Sequence, residues 1–439
     1  MNSRLTNRVD SPTIRVMEQE QNLATVYPAF ASLDLQDREF IEARHRECQF
    51  SFQQLRQLVD TAADLRQWRS GPLVNWWNPD AAGKTSGKVR TKLLVNDLLE
   101  SVAKLRREPT RYDDFIPPEI LPDKLQNIID DTDDIKLLGR CPCPVEGERT
   151  RCCNLRTLDA VQQCGFACSY CSIQSFYHQH EIRFVGDLGR RLDQLRLEPE
   201  VWHIGTGQSS DSLLWGDDHG TLTALAGFAR KHPEIVLELK TKSARTDWLQ
   251  TIEIPRNMVS TWSLNAPVVI EKEEHLTATL DQRIAAARKV ADAGSLVGFH
   301  IHPMVYFEGW RQGYGEVVGK IMENFEPSEV VMISIGTLTF TKQVLRQLRK
   351  MGRPSRILEM ELTEAAGKYS YPLEIKREMF GFVRSCFSEE WRTGPHRPFF
   401  YLCMEDPSLW EPTFGYHYGS DKEFEADMKM HYLKKTQFA

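Results

Sequence analysis

The spacing of apolar and polar positions divides the chain into a helical first third and an alternating remainder. Up to about residue 107, apolar residues recur at helical spacing. From residue 156 onward, short apolar runs alternate with amphipathic segments. The predicted helices of the first part are residues 34–46, 50–68 and 88–107. The later predicted strands are residues 157–162, 201–205, 235–239, 258–264, 297–303 and 329–335, and the helices between and after them are 187–196, 221–231, 246–249, 280–293, 311–325 and 342–351.

Six strand–helix repeats predict a parallel sheet, because parallel neighbours need a crossover connection that is usually a helix. The predicted fold class is α/β: a partial (β/α)6 barrel with an N-terminal helical region and a small C-terminal α+β extension. The predicted bounds are residues 1–135 for the helical region, 136–352 for the barrel and 353–439 for the extension. In a barrel of this kind, function is expected at the carboxyl ends of the strands.

Composition and charge indicate the class of protein and its expected location. The chain has 439 residues, 41% hydrophobic and 26% charged, which is ordinary for a globular protein. Its net charge of −6 provides no overall basic surface for a polyanion. The first residues lack the apolar core of a secretion signal, and no apolar run reaches the length of a membrane span. We therefore expect a cytoplasmic protein with no membrane partner, whose ten cysteines are metal ligands and free thiols.

The most informative motif is a group of three cysteines, Cys164, Cys168 and Cys171, with CxxxCxxC spacing after the first predicted strand. Three thiolates ligate three irons of a [4Fe–4S] cluster, whereas the usual four-cysteine site ligates all four. A metal with an open position is where chemistry takes place. The pattern therefore predicts a catalytic cluster, with buried or zinc-binding cysteines as the alternative.

A three-cysteine loop after the first strand of a β/α protein resembles the radical S-adenosylmethionine (SAM) enzymes. Further segments resemble the spore photoproduct lyase family, within a region from about residue 140 to 405: residues 165–174, 209–211, 240–243, 262–265, 280–294, 298–299, 307–314 and 401–405. The resemblance implies a [4Fe–4S] cluster, SAM, and reductive cleavage of SAM to a 5′-deoxyadenosyl radical that abstracts hydrogen from an undetermined substrate. It also implies an external one-electron reductant of the flavodoxin or ferredoxin type. By position, Lys242, Ser263 and Asn265 fall where the family contacts SAM.

Two positions depart from the Bacillus-type pattern of that family. Gln208 stands where the family has a hydrogen-donating cysteine, and Ser172 stands where it has a tyrosine, although Tyr170 is present. Neither replacement has a weak X–H bond that could quench a carbon radical, so repair of the spore thymine lesion by that relay is not expected. Tyr170 and Gln208 are candidate catalytic residues. Four upstream cysteines have several possible roles: a hydrogen donor, a second metal site, packing or a redox-labile pair. They are Cys141, Cys143, Cys152 and Cys153.

Two histidines, His300 and His302, are two residues apart on a predicted strand and therefore share a face. If they face the barrel interior, they are candidate catalytic residues that would bind an anionic or polar substrate, or a metal ion. If they face the outer helices, they are structural.

Three other functions stay open at this point. A DNA lesion lyase would contact phosphates, which produces salt-dependent affinity, through the basic residues Arg346, Arg349, Lys350, Arg353 and Arg356; otherwise these form a solvated helix face. The second alternative function is transfer of the aminocarboxypropyl arm of SAM to a thiophilic acceptor held by Cys152 and Cys153. A non-catalytic iron–sulfur protein, with Cys152 or Cys153 on the fourth iron, is the third.

Overall fold

The structure is a computed structural model that describes residues 23, 27–120, 125–132, 135–141, 149–173, 180–365 and 367–438. Two compact units divide the chain: residues 1–66 with 70–102, and residues 67–69 with 103–439. Within the described residues, the α-helices are α1 (Leu35–Cys48), α2 (Phe52–Trp68), α3 (Gly87–Arg107), α4 (Leu188–Asp193), α5 (Thr221–Lys231), α6 (Pro267–Glu273), α7 (Leu280–Asp292), α8 (Trp310–Asn324), α9 (Lys342–Met351), α10 (Leu373–Cys386), α11 (Glu389–Thr393), α12 (Trp410–Phe414) and α13 (Asp421–Phe438). The strands are β1 (Gln126–Asp130), β2 (Leu138–Arg140), β3 (Arg156–Leu158), β4 (Val161–Gln162), β5 (Glu181–Val185), β6 (His203–Thr206), β7 (Val236–Thr241), β8 (Met258–Leu264), β9 (Val297–Met304), β10 (Val330–Thr337), β11 (Thr339–Phe340), β12 (Thr363–Ala365), β13 (Lys368–Ser370) and β14 (Phe399–Leu402).

The first unit is helical, as its apolar spacing predicts. Ile41 on α1 and Leu58 on α2 are fully buried. The Thr91 hydroxyl donates to the Cys48 carbonyl at 2.8 Å, and the Leu73 N–H donates to the Asp37 carboxylate at 2.9 Å. In the described part of the whole chain, no helix is both long and apolar enough to cross a membrane.

The second unit is built around an eight-stranded sheet in the order β14-β10-β9-β8-β7-β6-β3-β2. Neighbouring strands from β14 to β3 are parallel, and β2 is antiparallel at the edge. Every residue of β8 and β10 is buried, as expected for parallel strands covered on both faces. The predicted partial parallel barrel is confirmed.

Two strands differ from the sequence prediction. The predicted strand 157–162 is two strands: β3 joins the main sheet, whereas β4 pairs with β5 in a small sheet with β1. The break falls where the Asp159 N–H donates to the Leu137 carbonyl and the Ala160 carbonyl accepts from Val185. Strand β14, which lies in the predicted C-terminal extension, pairs in parallel with β10. It adds a seventh parallel strand to the six that were predicted.

Helix α7 illustrates how local sequence sets an element. The Thr279 hydroxyl and the Gln282 side chain form a reciprocal capping box at its start. Gly294, just beyond its end, takes a φ of +84°, which glycine adopts without a Cβ clash. The buried face of α7 also carries Arg283, whose side chain is fully enclosed and reaches the carboxyl ends of the strands.

Candidate active site

The carboxyl ends of β6, β7 and β8 meet the loop after β4 around a small cavity. Its lining comprises the three predicted cluster cysteines, two lysines and several polar groups: Cys164, Phe166, Cys168, Cys171, Ile173, Gly207, Ser210, Asp211, Lys240, Thr241, Lys242 and Ser263. The fold therefore brings together Cys164, Cys168, Cys171, Lys242 and Ser263, which lie up to 99 positions apart in the chain.

The cysteine loop is held from outside the cavity. The Ala167 N–H donates to the His275 carbonyl at 3.1 Å, and the Ser169 N–H donates to the Glu273 carbonyl at 2.8 Å. The Arg353 guanidinium donates to the Ala167 carbonyl at 2.9 Å. These contacts fix the loop backbone, so its thiols are presented to the cavity by a supported loop.

The three thiols line one cavity, as the ligands of one cluster would. Burial raises the pKa of Cys164, and Asp211 and Cys171 raise it further. Burial also raises the pKa of Cys168, against the opposing effect of Lys242. No three His, Cys, Asp or Glu side chains of the described residues converge tightly enough to hold one metal ion. In a [4Fe–4S] cluster each cysteine ligates a different iron, which matches thiols spread around a shared cavity.

Asp211 joins the loop after β6 to the end of β7. Its carboxylate accepts hydrogen bonds from the Thr241 hydroxyl at 2.7 Å and from the Lys242 N–H at 2.6 Å, and also from the Leu213 and Leu214 N–H groups. The Lys242 backbone is therefore fixed, while its ammonium lies 5.9 Å from the centre of the Tyr170 ring. Sequence reasoning noted Asp211 within a motif but assigned it no role.

Glu274 is a site residue that sequence reasoning missed. It is 2% exposed, accepts from the Tyr170 hydroxyl and forms an ion pair of 2.6 Å with Arg283. Burial acts to raise its pKa, but Arg283 and Lys242 outweigh burial and lower it. The ionised Glu274 carboxylate thus accepts a hydrogen bond from Tyr170 and interacts electrostatically with Arg283 and Lys242. It stands in a run of acidic residues that resembles an exposed turn, so composition alone did not reveal it.

Asn265 is engaged within the protein. It is 1% exposed, and its amide nitrogen donates to the Pro303 carbonyl at 2.9 Å and to Glu274 at 3.2 Å. Its amide oxygen accepts from the Tyr314 hydroxyl at 2.8 Å. Its predicted contact with SAM therefore stays a prediction, as does that of Ser263, whose position in the cavity lining is compatible with one.

His300 faces the barrel interior, as one of the two sequence alternatives proposed. Its Nε2 lies 2.6 Å from the Glu238 carboxylate and its Nδ1 2.6 Å from the Ser334 hydroxyl. Burial and nearby Lys240 lower its pKa to about 4, so the imidazole is neutral near pH 7. His203 contacts the other oxygen of Glu238 at 3.0 Å. The interior therefore contains a buried chain of polar groups from β6 to β10.

His302 and Gln208 lie nearer the rim. His302 is half-buried at the end of β9, and its ring occupies space beside Gly336, 2.9 Å from where a Cβ of that residue would stand. Gln208 is half-buried beside Gly207, which lines the cavity. Their catalytic roles stay predictions.

The upstream cysteines precede β3 in the chain, and the described ones pack against Leu155 and Met404. The Arg151 N–H donates to the Glu405 carbonyl at 3.4 Å, which links this segment to the residues after β14. A hydrogen bond with Cys152 raises the pKa of Cys153, followed by burial and by the thiols of Cys403 and Cys141. Cys403, which the sequence did not single out, therefore belongs to the same group of thiols. Cys143 lies outside the described residues.

The five basic residues proposed for DNA contact do not form one solvated face. Arg346, Arg349 and Lys350 are exposed on α9. Arg356, by contrast, is 6% exposed and lies 3.0 Å from Asp114 in an ion pair, and Arg353 supports the cysteine loop. The expectation of a common basic surface is wrong for Arg356, because its guanidinium is buried in the protein. For Arg353, which is half-buried, it stays a prediction.

Comparison with known proteins shows similarity to one family. Residues 161–377 match the family model described as spore photoproduct lyase. The spore photoproduct lyase of Bacillus subtilis is 29% identical over 216 residues, which cover 46% of this chain and 61% of that protein. That of Clostridium acetobutylicum is 22% identical over 179 residues, covering 39% and 53% respectively. The matches thus span less than two thirds of either relative.

Solved structures show the same fold. A spore photoproduct lyase complexed with dinucleoside spore photoproduct aligns with a TM-score of 0.52 at 21% identity, covering 70% of this chain and 94% of that one. A mutant with bound AdoMet and dinucleoside spore photoproduct aligns with a TM-score of 0.51 at 22% identity, covering 70% and 93%. Residues 161–377 are thus similar to the spore photoproduct lyase family, and these matches support a spore-photoproduct-lyase-like radical SAM family for this region.

Proposed function

We propose that this spore-photoproduct-lyase-like protein is a radical SAM enzyme acting on a substrate held in the barrel. The observation that carries the proposal is the convergence of Cys164, Cys168 and Cys171 with Lys242 in one cavity at the carboxyl ends of the parallel strands. This is where β/α barrels place their reactive groups. The family match over residues 161–377 supports the same activity.

Each of these cavity residues would have its own role in binding the cluster or SAM. Cys164, Cys168 and Cys171 would hold a [4Fe–4S] cluster and leave one iron open. The cluster and SAM, when bound and supplied with an electron by a flavodoxin or ferredoxin, would furnish a 5′-deoxyadenosyl radical that abstracts hydrogen from the substrate. Lys242 would neutralise the SAM carboxylate, since its ammonium is in the cavity and its backbone is fixed by Asp211. Ser263 would donate or accept a hydrogen bond from the neighbouring strand end.

The interior beyond the cavity is suited to a polar substrate. Lys240 lines the cavity, and it is close enough to His300 to lower the pKa of that imidazole. His300 is itself fixed by Glu238 and Ser334, so its orientation does not depend on a ligand. A preorganised set of donors and acceptors favours a ligand with matching polar groups over an apolar one.

A second candidate is a DNA photoproduct lyase, which the family match favours. Gln208 cannot donate a hydrogen atom in the way that a thiol can. The thiols of Cys153 and Cys403, which lie near Tyr401 on β14, are the candidates for a substitute hydrogen donor. Lesion repair through one of these thiols is therefore a specific form of the proposal.

The test is an anaerobic assay of the reconstituted protein with dithionite and SAM, with the SAM fragments identified by mass spectrometry. We expect 5′-deoxyadenosine from the wild type and none from Cys164→Ala, Cys168→Ala or Cys171→Ala, which should also lose cluster iron. Cys386→Ala on α10 is the matched control and should keep both properties. Full activity in any of the first three variants would refute the cluster assignment.

Other products would point to the other functions. Methylthioadenosine alone would indicate aminocarboxypropyl transfer. Unchanged SAM with an intact cluster would indicate a non-catalytic iron–sulfur protein. If 5′-deoxyadenosine forms, a dinucleoside spore photoproduct is the first substrate to add, and its conversion to two thymidines would establish the lyase.

A further inference from the structure

A second cavity, of about 300 Å³, lies where β14 begins. Because the cysteine loop stands at the carboxyl ends of the parallel strands, this cavity is at the other end of the sheet. One wall consists of three arginines: Arg384 on α10, Arg392 on α11 and Arg397 in the loop before β14. The volume is at the lower end of the roughly 300–1,000 Å³ typical of small-molecule pockets.

The three guanidinium groups face the cavity without a carboxylate partner. No ion pair joins Arg384, Arg392 or Arg397 to an acidic side chain of the described residues. Arg384 donates to the Arg392 carbonyl at 3.0 Å, and Arg397 is within 3.4 Å of the Gly394 carbonyl. The Arg384 Nη1 and Arg392 Nε atoms are buried, and neither has a hydrogen-bond acceptor among the described residues. Buried charged donors without an acceptor are costly, and an anion in the cavity would accept hydrogen bonds from both.

The positive charges also act on one another. Arg384 stacks 4.0 Å above the Phe400 ring, and burial together with Arg392 and Arg397 lowers its pKa to about 10. Lys435 nearby shows the same effect, since burial and Arg397 lower its pKa to about 7. The guanidinium groups of the arginine wall are therefore close enough to repel one another.

The acidic residues of the cavity are already used by other donors. Glu423 accepts from the Gly419 N–H at 2.6 Å, and Asp427 accepts from the Tyr418 hydroxyl at 2.5 Å. Tyr416 also lines the cavity and donates to the Phe400 carbonyl at 3.2 Å, which fixes its ring. The cavity thus combines an arginine wall with a fixed aromatic ring.

We propose that this cavity binds a phosphate ester of nucleotide size, with its phosphoryl group on the arginine wall and its ring beside Tyr416. Guanidinium forks match phosphate oxygens in a bidentate arrangement. A phosphate monoester carries a charge of about −1.5 to −2 near pH 7, more than a single carboxylate offers to three guanidinium groups. The site is separate from the proposed active site and does not depend on its chemistry.

The test is calorimetric titration of the full-length protein with AMP, inorganic phosphate and adenosine at constant ionic strength in KCl. We expect AMP to bind more tightly than phosphate, and adenosine to bind weakly or not at all. The double variant Arg392→Gln/Arg397→Gln should weaken AMP binding by at least about tenfold. Arg377→Gln, an exposed charge on the same helix as Arg384, is the matched control and should bind AMP as the wild type does.

A thermal melt in ligand-free buffer separates binding from folding. The double variant should melt at the same temperature as the wild type or higher, because it removes like-charge repulsion. AMP binding that persists in the double variant would overturn the proposal, because it would place AMP elsewhere, for instance in the SAM site. The proposal would also be overturned if KCl alone raised the melting temperature as much as AMP does. It would be overturned as well if a single-stranded oligonucleotide bound more tightly than AMP.

Discussion

Lys242→Ala is the substitution that most directly tests the proposed binding of SAM. The side chain lines the cavity with the three cysteines, and its own backbone N–H is held by Asp211 at 2.6 Å. Truncation to alanine therefore removes the ammonium while leaving the strand end in place. It also leaves Glu274 with its ion pair to Arg283 and its hydrogen bond from Tyr170.

The expected magnitude follows from these contacts. A hydrogen bond to a charged group contributes about 1.5–3 kcal/mol, so losing the contact with the SAM carboxylate should raise the Kd roughly 10- to 150-fold. The loss in folding stability should be smaller, at most about 1 kcal/mol, because Lys242 is partly exposed and its carboxylate neighbour keeps Arg283. The two effects are therefore separable.

The measurement is anaerobic calorimetry of SAM binding to the reconstituted protein, together with its iron content. Lys272→Ala is the control, since that lysine forms a surface ion pair of 2.8 Å with Glu271 on α6. We expect unchanged iron in both variants and weakened SAM binding only in Lys242→Ala. Unaltered SAM affinity would refute the assigned role, and loss of iron would show that Lys242 supports the cysteine loop instead.

Two further predictions concern the framework of the site. Glu238→Gln should lower the free energy of unfolding by about 1.5–3 kcal/mol in urea denaturation, because it weakens the charge-assisted hydrogen bonds of the buried carboxylate with His300 and His203. Burial acts to raise the pKa of Glu238, but the two histidines outweigh it and hold that pKa well below its ordinary value of 4.5. The stability it contributes is therefore fully present above pH 4.5 and lost as the pH falls through the folded pKa, so the wild-type advantage over the variant should shrink on acidification; equal stability of the two at neutral pH would contradict this. Gly207→Ala would set a Cβ 2.9 Å from the Lys240 carbonyl oxygen at a φ of +92°, and should cost about 1–3 kcal/mol and reduce SAM cleavage. Gly227→Ala, in open space on α5, should be neutral or stabilising, and similar losses in both variants would refute the steric argument.

Helices and strands were predictable where hydrophobic spacing was regular. The helices 221–231 and 342–351 and the strand 258–264 have the predicted bounds, because each carries its own apolar face and end signals. The strand 157–162 was predicted as one element, but it is two. Local alternation cannot show that the chain leaves the main sheet at Asp159, since that depends on hydrogen bonds with Leu137 and Val185.

The candidate site divides in the same way. The three cluster cysteines were recognisable because they all lie in one loop, so their spacing can be read directly from the sequence. They are Cys164, Cys168 and Cys171. Glu274 and Cys403 were not recognisable, since their importance comes from neighbours far along the chain, such as Tyr170 for Glu274 and Cys153 for Cys403.

The sequence by itself determined the alternation of strands and helices and the thiols available for a cluster. Both follow from short-range spacing, which a chain carries before it folds. Only the tertiary structure decided that His300 lies 2.6 Å from Glu238, that Arg356 is buried, and that Arg384, Arg392 and Arg397 share a cavity. Those relations depend on which strand ends and helices become neighbours, and that is set by packing of the whole barrel.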